Sequence, residues 1–188
     1  MDTRAAEVLA FWFGPIDAAR DEWFRKDAAF DALIALRFGA LIDAALGGEL
    51  DAWASEPDSA LARIVVLDQF TRNACRDTPR AFAGDAQALA AAQTLVASGQ
   101  DQALTPLRRV FAYLPFEHAE DLATQNESLR LFAALAAALP TMAGYDAYAI
   151  KHHAVIARFG RFPHRNAILG RTSNIDERAF LAEPGSRF

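Results

Sequence analysis

Asp27–Gly48, DAAFDALIALRFGALIDAALGG, is the stretch that decides the fold class. Phe30, Leu33, Ile34, Phe38, Leu41 and Ile42 recur at steps of three and four residues. That repeat lines one face of an α-helix and does not suit a strand, whose faces alternate every second residue. Asp27 stands before the run as an N-cap, and Gly47-Gly48 close it. Gly39, lacking a side chain in the helix interior, marks a close approach by a neighbouring helix.

The same alanine- and leucine-rich pattern extends in both directions. A first helix covers Thr3 to Phe13 and stops at Gly14-Pro15. A third begins after Pro57-Asp58 and carries Leu61, Ile64 and Val65 towards Arg72; a fourth runs from Asp85 to Ser98, closed by Gly99. Thr105-Pro106 opens a short fifth helix. Leu114 precedes Pro115 and is biased away from helical geometry, so the chain is expected to bend there. A sixth helix then spans Glu117 to Leu139, stopped by Pro140, and a seventh spans Tyr145 to Phe159, stopped by Gly160. Phe162-Pro163 keeps the next segment extended, and Ser173 caps a last helix ending at Leu181. No run of alternating β-branched residues reads as a strand, so the fold is expected to be all-α. The 188 residues are 53% hydrophobic and contain no linker or clean repeat, which predicts one domain over 1–188. A chain of this length buries roughly 70% of its unfolded surface.

The net charge of -5 argues against general affinity for nucleic acid or anionic membranes, both of which need a basic footprint. No apolar run approaches the ~20 residues that span a bilayer. MDTRAAEVLAFWFG has neither the basic start nor the apolar core of a secretory signal, and a lone Cys75 suits a reducing compartment, so a cytoplasmic protein is expected. No metal-ligand spacing, phosphate-cradling glycine loop or dinucleotide fingerprint is present, and neither metal nor cofactor is expected. Trp12, Trp23 and Trp53 read as core anchors.

Several polar residues fall on core-facing stripes. In the seventh helix His152 lies at the centre of the stripe Tyr145, Tyr148, Ala149, Val155, Ile156 and Phe159. In the sixth, His118, Asp121 and Gln125 continue the stripe Leu122, Leu129 and Phe132, with Glu117 at its edge and Glu120 pointing away. In the third, Asp68 and Arg72 form an i,i+4 acid–base pair, flanked by Gln69 and Asn73 at the same spacing. Buried polar groups need partners. The segment Arg158–Asn166, RFGRFPHRN, offers three arginines and a histidine with no acid. Gly160 ends the helix and Pro163 stiffens the loop, so Arg161, His164, Arg165 and Asn166 are held by the backbone. The expected arrangement puts this loop on the positive side of a buried polar site, with Asp68, Glu117 and Asp121 on the negative side. Arg158 falls off the apolar face.

The motifs FWFG (Phe11–Gly14), WFRKDAAFD (Trp23–Asp31), LDQFTRN (Leu67–Asn73), YLPFEHAED (Tyr113–Asp121) and RFGRFPHRNAILGR (Arg158–Arg171) resemble, in order, the bacterial family catalogued as domain of unknown function 924. The resemblance covers nearly the whole chain. It implies a right-handed array of antiparallel helical hairpins, similar to tetratricopeptide repeats, and brings no assigned activity or catalytic residues. Ala119 stands where the family pattern often has serine after Glu-His.

Two functions fit these features. One is a pocket for a small anion, phosphate or carboxylate. Arg161, His164, Arg165, Asn166, Asp68, Gln69, Arg72, Asn73 and Glu117 would line it, and His118, His152 and Asp121 would supply acid–base chemistry. The other is a scaffold that binds a peptide or protein partner in a concave helical face. The same polar residues also fit a core network that only fixes helix register. No nucleophile stands beside an obvious base, so the sequence names no reaction, and it leaves the oligomeric state open.

Overall fold

The computed structural model describes residues 1–15, 17–23, 25–142 and 144–186. Among them there are helices and turns and no strand. Helix α1 is Thr3–Phe13, α2 is Ala28–Leu46, and α3 runs through Pro57–Ile64, a π-helical segment Val65–Phe70 and a last turn Thr71–Ala74. Then follow α4 (Asp85–Ala97), α5 (Pro106–Glu117), α6 (Leu122–Ala138), α7 (Tyr145–Phe159) and α8 (Ile175–Leu181). From α3 to α7 each helix packs on the next in sequence, while α1 and α2 lie against α3.

The capping chemistry sets the boundaries. Asp27 accepts from the backbone N–H of Ala29 and Phe30, and Thr105 from that of Arg108 ahead of Pro106. At α8 the cap is Asn174, one residue beyond the expected Ser173: its side chain accepts from Glu177 N while Glu177 returns a bond to Asn174 N, a capping box. The core is aromatic. Trp12 and Trp23 both pack on Phe111, with ring centroids 5.7 and 4.7 Å apart, and Trp53 is buried with its indole N–H on Asp2.

Two expectations are corrected. The first concerns Pro115, which does not separate two helices, because α5 continues through it to Glu117. A helix-interior proline costs about 3 kcal/mol. Phe111, Tyr113, Leu114 and Phe116 are all buried on this stretch, and each such side chain returns roughly 1.5–3 kcal/mol. The turn comes instead at His118–Asp121, where Gln125 Nε2 donates to the carbonyls of Glu117 (2.6 Å) and Ala119 (2.9 Å). Glu117 and His118 therefore end one helix, and Asp121 caps another. The second concerns Gly39, where a Cβ would meet nothing within 4 Å. The close approach is at Gly84, where a Cβ would stand 2.2 Å from the carbonyl oxygen of Leu67. This contact sets the N-terminus of α4 directly on the π-helical segment of α3.

Candidate functional site

The wider π turn leaves the carbonyls of Leu67 and Asp68 to side-chain donors: Thr71 Oγ1 donates to Leu67 O at 2.7 Å and Arg72 Nη1 to Asp68 O at 2.8 Å. Such turns recur at functional sites. This one carries Asp68, 1% exposed, into the centre of the polar cluster. Its Oδ1 pairs with Arg72 Nη1 at 2.9 Å and meets His118 Nδ1 at 2.7 Å, while Gln69 Nε2 donates to Oδ2 at 2.5 Å. Burial opposes ionisation of Asp68, but Arg72 and His118 outweigh it and hold the carboxyl below its ordinary range. A carboxylate only accepts, so His118 carries its hydrogen on Nδ1 and its basic nitrogen is Nε2. Nε2 makes no hydrogen bond to a described residue, and the side chain keeps 15% exposure. Burial pushes the His118 pKa down, against the pull of Asp68.

A second carboxyl–imidazole contact lies beside the first. His152, buried on α7 as its stripe position requires, places Nδ1 2.9 Å from Tyr148 O and 3.1 Å from Glu117 Oε1. Its ring centroid is 6.2 Å from that of His118. Burial, helped by Asp68, pushes Glu117 up to about 8; burial, helped by His118, pushes His152 down to about 3. Near neutral pH this is a contact between an uncharged acid and an uncharged imidazole.

The cationic side is built by Asp85, the first residue of α4 after Gly84. Asp85 Oδ1 pairs with Arg72 Nη1 at 2.9 Å and Oδ2 accepts from Arg165 Nη1 at 3.2 Å. Arg165, 6% exposed, lies against the rings of Phe162 (4.5 Å) and Phe82 (4.8 Å). Burial and the neighbouring Arg72 lower its pKa to about 10. Arg165 Nε and Arg72 Nη2 are both occluded and have no acceptor among the described residues. His164 packs on Phe162 and is pushed down to about 4 by burial and by Arg165.

Residues 8–185 match the model of the family described as bacterial protein of unknown function (DUF924). The chain belongs to this family. Its structure is similar to that of a protein of unknown function, ATU0120 from Agrobacterium tumefaciens, with a TM-score of 0.86 and 41% sequence identity over 96% of this chain and 97% of that one. No curated protein matches.

In this DUF924 chain not every expected residue joins the cluster. Asp68, Gln69, Arg72, Glu117, His118, His152, His164 and Arg165 do. Asp121 does not: it is exposed, and its side chain is used in capping α6 at Thr124 N. Arg161 is committed to Glu177 through Nε (2.6 Å) and Nη2 (2.9 Å) and to Thr172 O, which pins α8 to the loop. Asn166 donates to Ser173 and Glu177 and accepts from Arg171, so it braces the loop from within. Asn73 accepts from Arg76, which itself pairs with Asp31 of α2. Arg158 lies over the ring of Phe159 on the surface. The acids that face the loop cations are Asp85, Glu177 and Glu120, in place of Glu117 and Asp121. Glu120 was expected to point away, yet it accepts from Phe162 N and from both ends of Arg171. Sequence reading saw Asp85 only as a helix start and missed Phe82; the one signal was the Gly-Asp step itself, an acid at a helix N-terminus with a glycine before it.

Proposed function

We propose that this DUF924 protein binds a small anion, phosphate or carboxylate, between Arg72 and Arg165, and that His118 is the acid–base group acting on it. The observation that carries the reading is the pair of buried arginine donors, Arg165 Nε and Arg72 Nη2, that no described residue accepts from. A buried unsatisfied donor costs about 1–3 kcal/mol. Two of them on arginines that share one aspartate make a site for an oxygen acceptor. Asp68 fixes His118 so that Nε2 is the nitrogen able to exchange a proton, as general acid–base chemistry requires. Gln69, His164, Glu117 and His152 complete the wall, and the cluster holds no serine or cysteine, so His118 works on the ligand or on a water. Arg161, Asn166, Asn73 and Asp121 support this arrangement from outside.

We read the succession of neighbour-packed helices as the tetratricopeptide-like array of hairpins that the sequence motifs imply, in a cytoplasmic protein. A peptide scaffold would display its aromatic side chains on an open face, whereas Phe162 is fully buried against Arg165. Melting curves with acetate, phosphate and sulfate test the anion reading. A hundredfold excess over Kd stabilises a fold by about 2.7 kcal/mol, which is roughly 5–10 °C for a chain of this size. Arg165→Ala and Arg165→Lys should lose the shift, the latter because lysine keeps the charge without the fork. Arg161→Ala should retain it. A wild-type melt that no anion moves would end the proposal.

A further inference from the structure

Resting on that reading, we propose that the ligand is a monoanionic carboxylate and that it enters together with one proton, taken up by His118 Nε2. Two features of the cluster carry this: the shape of the available donor edge, and the balance of formal charge around it.

The shape follows from Arg165. Its Nη1 is used by Asp85, and its remaining edge, Nε and Nη2, has no acceptor among the described residues. These two nitrogens lie in one plane and present the parallel donor pair that matches the two oxygens of a carboxylate. Phe82 and Phe162 lie against the same guanidinium. A planar carboxylate meets the edge within that plane, whereas a tetrahedral phosphate turns further oxygens out of it towards the apolar phenyl rings.

The charge balance follows from the pairs already in place. The charged groups facing His118 are Asp68 and Arg72 from α3, Asp85 from α4 and Arg165 from the loop. Two arginines meet two aspartates. The titratable neighbours Glu117, His152 and His164 are uncharged near neutral pH, and Glu120 is matched by Arg171. A carboxylate added to this set leaves one buried negative charge unmatched, which is costly. A proton from solvent on His118 Nε2 restores the balance: Nδ1–H stays on Asp68, and Nε2–H forms on the side that the protein leaves without an acceptor. A dianion would need a second proton on His152 or His164, where burial resists it.

The test is an NMR titration with acetate and with inorganic phosphate from pH 5.5 to 8.5, following the imidazole nitrogens of His118. Acetate should bind about tenfold more weakly for each pH unit above the free His118 pKa, as uptake of one proton requires. Saturating acetate should convert His118, and neither His152 nor His164, to the imidazolium signal. His118→Asn should flatten the pH dependence, and the wild-type imidazole signals report the same step if that variant fails to fold. Phosphate binding more tightly than acetate, or acetate binding without protonating His118, would overturn this inference while leaving the anion site standing. Failure of both anions to bind at any pH would remove both.

Discussion

Replacing Glu117 with glutamine tests the electrostatics of the cluster without any ligand. Glutamine keeps the shape and an oxygen within reach of His152 Nδ1, and removes only the titration. In the folded protein Glu117 keeps its proton up to about pH 8, whereas an unfolded chain releases it near 4.5. Between those limits folding takes up a proton, so stability falls as pH rises. The histidines act in the opposite sense: His152 and His164 stay neutral down to about 3 and 4 in the fold but take protons near 6.5 when unfolded, so stability falls as pH drops below 6.5. The two slopes place the stability maximum near pH 6.5. From 6.5 to 8 one group loses about 1.4 kcal/mol per pH unit, about 2 kcal/mol in all. The α-amino group of Met1, held up by Glu56, acts from about pH 8 upward and is common to both proteins. Urea denaturation at pH 6.5, 7.25 and 8 reads the difference: the histidine contributions are common to both proteins, and wild type should lose about 2 kcal/mol across the window relative to Glu117→Gln. Parallel curves for the two proteins would show that Glu117 ionises in the fold, and the neutral Glu117–His152 contact would be wrong.

Asp68→Ala leaves the buried Arg72 to Asp85 alone and removes the partner of His118 Nδ1. It should cost about 3 kcal/mol or more, and an unchanged thermal melt would place the pair in solvent. Gly84→Ala drives a methyl group onto the Leu67 carbonyl and should cost about 1–3 kcal/mol, as overpacking does. The same substitution at Gly39, inside α2 with open space around it, should stabilise by roughly 0.5–1 kcal/mol; equal effects at the two glycines would contradict the close contact between α3 and α4.

The all-helical character was readable because each helix writes its own signal. The spacing of apolar residues along Asp27–Gly48 and the caps at Asp27 and Thr105 are local, and the structure keeps them. What misled the reading was also local. The bias of Leu114 against helix is a backbone preference, and burial of Phe111, Tyr113 and Phe116 in the core overrides it. Gly39 and Gly84 look alike in sequence. Only the second meets another backbone, because close approach is a property of two segments.

The same distinction decides how much of the site was legible. His152 was found because a helical wheel needs only its own helix, and Asp68 with Arg72 because four residues bring them together. The acids of the arginine loop were missed because charge neutrality is settled across the fold. Arg165 is met by Asp85 from 80 residues away, and Arg171 by Glu120 from 51. The acids that the helical stripes offered, Glu117 and Asp121, were drawn off by other needs, one losing its charge to burial and the other capping α6. That reassignment changes what the loop does. With Arg161 spent on Glu177 and Arg158 lying over Phe159, RFGRFPHRN is not a general cationic surface. It delivers one guanidinium, Arg165, against two phenyl rings and with one donor edge left over. An edge of that kind can select its acceptor by geometry, which a ring of loosely held arginines could not do.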